Sequence, residues 1–249
     1  MKAETALYIG AGQDSYDPMA VQGQLIKDTK GHPYIPGSSI KGVLRSFLES
    51  VTTNSCERGS CLEKLNNKDA RKAKVNELKK DPLNDGINDN ALLAKYIVEK
   101  SCLACRLFGS GLIAGKLKIS DAVLENVEKW IETDIRTGNA INRDTKTAAS
   151  SALFDTETIP AGTLFEFRLS AENLSADEAK YSGELMSYFA QGEIIVGGRS
   201  RAGLGRVSVE QFQLKISFVE KNKYIPATKD LGKIEIKTLA RTLAANLPK

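Results

Sequence analysis

Two rhythms of apolar positions alternate along this chain. Between His32 and Glu49 the sequence reads HPYIPGSSIKGVLRSFLE. Ile40, Val43, Leu44, Phe47 and Leu48 recur at three- and four-residue spacing, which predicts an amphipathic helix with one buried face. Pro33 and Pro36 stiffen an extended approach, Gly37 permits a sharp turn, and Ser38 and Ser39 offer hydroxyls to the orphan N–H groups of the helix start. A second helix is predicted from a Ser175 cap to about Gln191, with Leu185, Met186 and Phe189 on its buried face. Period-two alternation predicts strands over 2–9, over 106–126, over 162–171 and in the long run that ends in KISF. Leu25 to Asp28 reads as a brief strand after a glycine-containing loop over 10–24.

Residues 127–161 are polar and small, as in the two arms of a protruding hairpin. Residues 54–105 read as an insertion with a basic helical stretch, LEKLNNKDARKAKVNELKK, and a second helix, ALLAKYIVEK. A solvated helix face explains those charges as well as RNA contact does. Residues 221–249 form a polar tail ending in a short helix, LARTLAANL. The core order is strand, helix, strand, hairpin, strand, helix, strand. This is the β-α-β-β-α-β plan of an α+β, ferredoxin-like (RRM-like) domain over 1–220, carrying the insertion and the hairpin.

Composition changes this picture little. Hydrophobic residues make up 41% and charged residues 27%, as in ordinary globular proteins, and the net charge is +4. No apolar run approaches a membrane span and MKAETALYIG lacks a signal-peptide pattern, so a cytoplasmic location without membrane contact is expected. With so mild a charge, any nucleic-acid role rests on where Lys and Arg stand. His32 is the single histidine, which excludes a ribonuclease built on a histidine pair.

Three clusters carry chemistry. Cys56 and Cys61 form C-x4-C, and after 40 residues Cys102 and Cys105 form C-x2-C. Both spacings let paired thiolates reach one tetrahedral ion, and a polar insertion without its own core gains from such a staple, so structural zinc is expected against the alternative of reduced free thiols. The loop Gly197-Gly198-Arg199-Ser200-Arg201-Ala202-Gly203-Leu204-Gly205-Arg206 joins four glycines to three arginines with forked donors. It is neither a Walker loop nor a Rossmann fingerprint, and a flexible hairpin turn has a similar composition. Lys41 and Arg45 lie one turn apart near a helix start, an arrangement suited to phosphate as well as to plain solvation.

The stretch PYIPGSSIKGVLRSFLE, the glycine-rich loop and CRLFGS (105–110) together resemble the repair-associated mysterious protein (RAMP) superfamily, RNA-binding subunits of CRISPR effector complexes. The likeness is greatest to the backbone subunit of type III complexes. It implies guide RNA contacts at Lys41, Arg45, Gly197, Gly198, Arg199 and Arg201, and a thumb hairpin near whose RNA-contacting region Asn139, Ile141, Asn142 and Arg143 would lie. It also implies partners: CRISPR guide RNA, complementary target RNA, further copies of the chain in a filament and other effector subunits, in antiviral defence. Active relatives carry a catalytic aspartate six residues ahead of the aspartate that closes the run before this motif. Here Val21 to Asp28 places Gln22 at that position, and a neutral amide is a poor proton acceptor. The resemblance therefore implies no cleavage by this chain, with a separate nuclease among its partners. The alternative is an endoribonuclease using Asp14 or Asp17 of the same loop.

Overall fold

A computed structural model of the chain describes residues 1–12, 21, 23–52, 61–129, 132–141, 144–218 and 227–246. The chain divides into two units, Met1–Leu44 with Ile119–Arg168 and Ala179–Lys249, and Arg45–Lys118 with Leu169–Glu178. Among the described residues no helix is long and apolar enough to cross a membrane.

The first unit is built on the predicted strand at its start. β1 (Lys2–Ala3) pairs antiparallel with β8 (Val207–Ser208). The chain then continues as an inner segment with partners on both edges. Gly205 N–H donates to Ala6 O at 3.0 Å and Gly198 N–H to Tyr8 O at 2.8 Å, while Leu7 and Ile159 exchange both backbone bonds at 2.9 Å. Ala3, Ala6, Leu7 and Ile9 are accordingly buried. Residues 23–27 continue this layer. Ala11 N–H donates to Gln24 O and Ile26 N–H to Ile9 O, while Gly23 bridges Thr156 in parallel.

The predicted first helix forms as α1 (Gly37–Val51), and Ile40, Leu44 and Leu48 are its buried row. Its start differs from the expectation. Gly37 N–H donates to Asp121 Oδ1 at 2.7 Å, so the carboxylate that satisfies a first-turn donor comes from a distant segment. A Cβ on Gly37 would stand 2.3 Å from Ile119 O, so only glycine fits this approach.

β4 (Asp134–Ile141) and β5 (Ala148–Thr158) form the predicted hairpin, antiparallel with a register shift between Asn139 and Ile141. The run 162–171 is not one strand. β6 (Phe165–Glu166) pairs with β3 (Val123–Leu124), and β7 (Leu169–Ala171) pairs with β2 (Leu117–Ile119). Between them Arg168 N–H donates to the Ser120 hydroxyl instead of a backbone carbonyl, which interrupts the ladder. Arg106 to Phe108, read as strand, end the short helix α4 (Leu103–Phe108). The polar tail is also structured. β9 (Gln211–Phe218) pairs with β10 (Ala227–Glu235), and α6 (Ile236–Asn246) follows. The class is mixed α/β. Among the described residues its strands form two-stranded ladders joined by isolated bridges rather than one continuous four-stranded sheet.

The second unit holds α2 (Lys68–Leu78), α3 (Asp89–Lys100) and α4, with Val75, Leu92, Ile97, Leu107 and Phe108 buried. The second predicted helix is α5 (Ala176–Ala190), and Leu185, Met186 and Phe189 are buried as expected. It opens with a capping box: Ser175 N–H donates to Glu178 Oε2 at 2.9 Å and Glu178 N–H to the Ser175 hydroxyl at 3.3 Å.

Glu178 is only 2% exposed and also meets Lys116 Nζ at 2.6 Å and Arg106 Nε at 3.1 Å. Burial opposes its charge, but the bonds from Lys116 and the Ser175 N–H and the two cations outweigh it, so its carboxyl titrates below the usual 4.5. A depressed folded value means that the stabilisation is fully present above the ordinary value and is lost as pH falls through the folded one. Glu178→Gln is expected to lower unfolding free energy at pH 7 by about 1–3 kcal/mol and to flatten the decline below pH ~4.5. Urea titrations from pH 3 to 7 that leave both quantities unchanged would contradict this.

Candidate nucleic-acid interface and thiol cluster

The glycine-rich loop is seated on the inner segment of the first unit. Gly197 has φ +86° and a Cβ there would lie 2.3 Å from Tyr8 O, while Gly205 has φ +102° and a Cβ would lie 2.5 Å from Val196 O. These glycines let two backbones meet. The Gly198 and Gly205 N–H groups are spent on Tyr8 and Ala6, not offered to a ligand. The loop's presented groups are instead its arginines. Arg201 and Arg206 are exposed and Arg199 is half-buried.

Arg199, at φ 57°, precedes a short 3-10 turn, Ser200–Ala202. Its guanidinium carbon stands 5.3 Å from the Tyr8 ring centroid and 4.6 Å from that of Phe154. The two rings fix the guanidinium by cation–π contact, and Phe154 belongs to β5. The fold thus brings the hairpin's second strand to the glycine-rich loop. Neither aromatic partner has a local sequence signal.

On the hairpin, Asn139 is exposed and Ile141 is 65% exposed, while Asn142 and Arg143 lie outside the described residues. Ile135 at 61% and Leu153 at 70% exposure add two apolar side chains that the sequence reading passed over. Asn139 stands opposite Leu153 in the ladder and Ile135 opposite Glu157, so these positions share one face. The period-two pattern from Ile135 to Ile141 was the available signal.

Gln22, Asp14 and Asp17 lie outside the described residues. The segment just after Gln22 is held firmly to the hairpin's base. Gly23 N–H donates to Asp155 O and Glu157 N–H to Gly23 O. The Glu157 carboxylate receives Leu25 N–H at 3.1 Å, the Thr133 hydroxyl at 2.6 Å and Lys27 Nζ at 2.5 Å. Burial opposes its ionisation, yet these donors hold its carboxyl below the usual range. Its oxygens are committed to anchoring this segment, a role with no sequence signature.

Lys41 is half-buried on α1. Arg45, paired with it in the sequence reading, donates Nε to Glu49 Oε1 at 2.8 Å and Nη1 to Gly109 O at 2.8 Å, with Nη2 3.8 Å from Cys105 Sγ. The structure therefore sets Arg45 against α4.

In the second unit the Sγ atoms of Cys61, Cys102 and Cys105 all lie within 4.8 Å of one another. Cys56, the fourth expected ligand, lies outside the described residues. Thiolates on a tetrahedral ion at ~2.3 Å stand about 3.8 Å apart, so three sulfurs gathered this closely fit a metal. Backbone donors reinforce the fit: Cys102 N–H points to Cys61 Sγ at 3.2 Å and Cys105 N–H to Cys102 Sγ at 3.4 Å. Burial pushes the Cys61 thiol up, and its thiol neighbours add to this. A cation among the sulfurs reverses that penalty. The described residues thus supply three of the four thiols expected to hold a metal.

Comparison with known proteins fits this architecture. The chain is similar to a protein of Methanothermobacter thermautotrophicus named CRISPR system Cms endoribonuclease Csm3. The two are 23% identical over 243 residues, covering 87% of this chain and 83% of the relative. Residues 1–208 match the RAMP superfamily. That span contains α1, the hairpin, the thiol cluster, α5 and the glycine-rich loop, and by it the chain belongs to the RAMP superfamily.

Proposed function

We propose that this chain is a guide-RNA-binding backbone subunit of a type III or type III-derived CRISPR effector complex. Its ferredoxin-like order of elements would carry the guide, several copies would polymerise along it, and complementary target RNA would pair with the guide they present. Base pairing then supplies specificity, and the protein holds backbone and shape. The observation that carries the reading is the family match over 1–208, joined to a likeness with a protein named for a CRISPR system. The site supports it chemically. Arg199, held between two rings, and exposed Arg201 offer forked donors for phosphate, and Lys41 adds a point charge. The exposed Ile141 and Asn139 suit a hairpin that wedges between bases, and Asn142 and Arg143, next in sequence, would add polar and cationic groups to that contact. Zinc held by Cys56, Cys61, Cys102 and Cys105 would staple the second unit.

Arg199→Ala with Arg201→Ala is expected to weaken guide binding for every guide sequence and to lower the log–log salt slope by about 1.4, two single-strand phosphate contacts at ~0.7 each. Filter binding across a salt series measures both. Unchanged affinity and slope would remove the reading.

The chain itself, on this proposal, does not cut RNA, and a separate nuclease acts in the complex. The relative's name favours a second reading, an endoribonuclease using Asp14 or Asp17. The two separate in one assay with guide complex, complementary RNA and divalent metal. No cleavage is expected with Gln22 and regularly spaced cleavage with Gln22→Asp. Cleavage by the unaltered chain, abolished by Asp14→Asn or Asp17→Asn, would establish the second reading instead.

A further inference from the structure

Arg45 is one turn past Lys41 on α1, yet its guanidinium is used within the second unit. Three of its contacts have a shared logic. Glu49, one turn further along α1, receives Nε at 2.8 Å. Gly109 O receives Nη1 at 2.8 Å, and Cys105 Sγ lies 3.8 Å from Nη2. Cys105 and Gly109 are themselves joined, because Gly109 N–H donates to Cys105 O at 2.9 Å and closes the last turn of α4. That turn is closely packed: Gly109 has φ +91°, and a Cβ there would meet Gly115 N at 2.8 Å. The same short helix begins at Cys102, whose sulfur accepts the Cys105 N–H. One planar cation therefore grips the element that supplies two of the three clustered sulfurs.

We propose that Arg45 is a positioning residue of the thiol cluster, an outer partner of Cys105 that supports metal binding, and that it does not contact guide phosphate. This rests on reading the cluster as a metal site. A divalent ion held by three or four thiolates leaves a net negative charge in a partly buried site. A guanidinium keeps its positive charge at every pH of interest and can donate to a coordinating sulfur without becoming a ligand. Glu49 and Gly109 O hold the fork in place, so little side-chain freedom remains to be lost when the metal enters. Outer partners of this kind change metal affinity by about 10–100-fold in other sites. The arrangement also joins α1 to the metal. An ion bound at Cys105 fixes, through Arg45, the half of α1 that follows Leu44.

The test uses the full chain, zinc in competition with a chelator, and cobalt(II) as a spectroscopic probe. Arg45→Met is expected to raise the metal Kd by about 10–100-fold and to shift the sulfur-to-cobalt charge-transfer band. Lys72→Met, which removes an exposed cation from α2 of the same unit, should change neither. In metal-loaded protein, Arg45→Met should leave the salt slope of guide binding as it is. Equal Kd and an identical cobalt spectrum for Arg45→Met and the unaltered chain would overturn the proposal, as would a reduced salt slope. Should Arg45→Met fail to fold, Arg45→Lys decides, since it keeps the charge and loses the fork. A shifted band and weaker binding support the proposal, and unchanged values overturn it. An unaltered chain that binds neither zinc nor cobalt overturns the metal reading itself, a result distinct from a metal site indifferent to Arg45.

Discussion

If the thiol cluster holds a metal as proposed, Cys105→Ser or chelation is expected to abolish the ordered structure of the second unit. That unit has a small core. α2 buries Val75 alone, and α3 buries Leu92 and Ile97. α4 buries four of its six residues, Cys105 among them, and Leu48, Leu65 and Leu117 are buried in the same unit. The cluster also supplies local hydrogen bonding, since the sulfurs of Cys61 and Cys102 accept backbone N–H groups of the same short stretch. Metal binding contributes on the order of 10 kcal/mol to small thiolate-stapled domains, comparable to the ~5–15 kcal/mol stability of a whole domain. Hydrogen exchange read by mass spectrometry measures the effect region by region. Amides of α2, α3 and α4 should lose protection in the serine variant and in chelator, while those of β1, β8 and the hairpin keep theirs. Full protection in protein shown by elemental analysis to be metal-free would contradict this.

The second large effect is expected at Gly197. A methyl group there would lie 2.3 Å from Tyr8 O and 2.6 Å from Ile9 Cδ1, distances no real Cβ adopts. The neighbour at fault is backbone, so relief requires the loop to lift from the inner strand. That breaks the bond from Gly198 N–H to Tyr8 O, at about 1–3 kcal/mol for a buried group left unpaired, and φ +86° adds about 1–2 kcal/mol for any L side chain. We expect Gly197→Ala to lose about 2–5 kcal/mol and to bind guide RNA poorly, because Arg199 leaves the Tyr8 ring. Gly203→Ala is the matched control. It has φ +79° but nothing within 4 Å of the added carbon, so only the backbone cost of about 1–2 kcal/mol applies. Urea midpoints that do not separate the two variants would sink the steric argument.

What could be read in the sequence was local and periodic. α1 and α5 show their buried rows at three- and four-residue spacing, and the Ser175–Glu178 capping box lies within four consecutive residues. The hairpin followed from a polar, small-residue stretch, and the gathering of three cysteines from their spacing. The missed features depend on partners far away in sequence. Asp121 reaches Gly37 across 84 residues, so the Ser38 and Ser39 hydroxyls were the only caps in view. Arg45 and Arg199 look alike as cations in loops and helices, and only folding gives one a thiol neighbour and the other two aromatic rings. β10 was hidden by Lys229, Asp230, Lys233 and Glu235, which are tolerable because a two-stranded ribbon needs only one apolar face, and by the register shift between Asp230 and Lys233.

The pairing of β1 with β8 has a consequence for how the protein is made. The Ser208 hydroxyl reaches Glu4 and the Arg206 N–H reaches Thr5 across 204 and 201 residues. A ribosome adding about 5–20 residues per second delivers the first strand ~10–40 s before its partner exists. Docking earlier against Ile159 covers only one edge, because the other belongs to the loop and strand that follow Val196. During that interval Leu7 and Ile9 stay on an incompletely paired edge, open to nascent neighbours on the same messenger. Slow translation between the hairpin and the glycine-rich loop lengthens this exposure, so codon choice there bears on the yield of native protein.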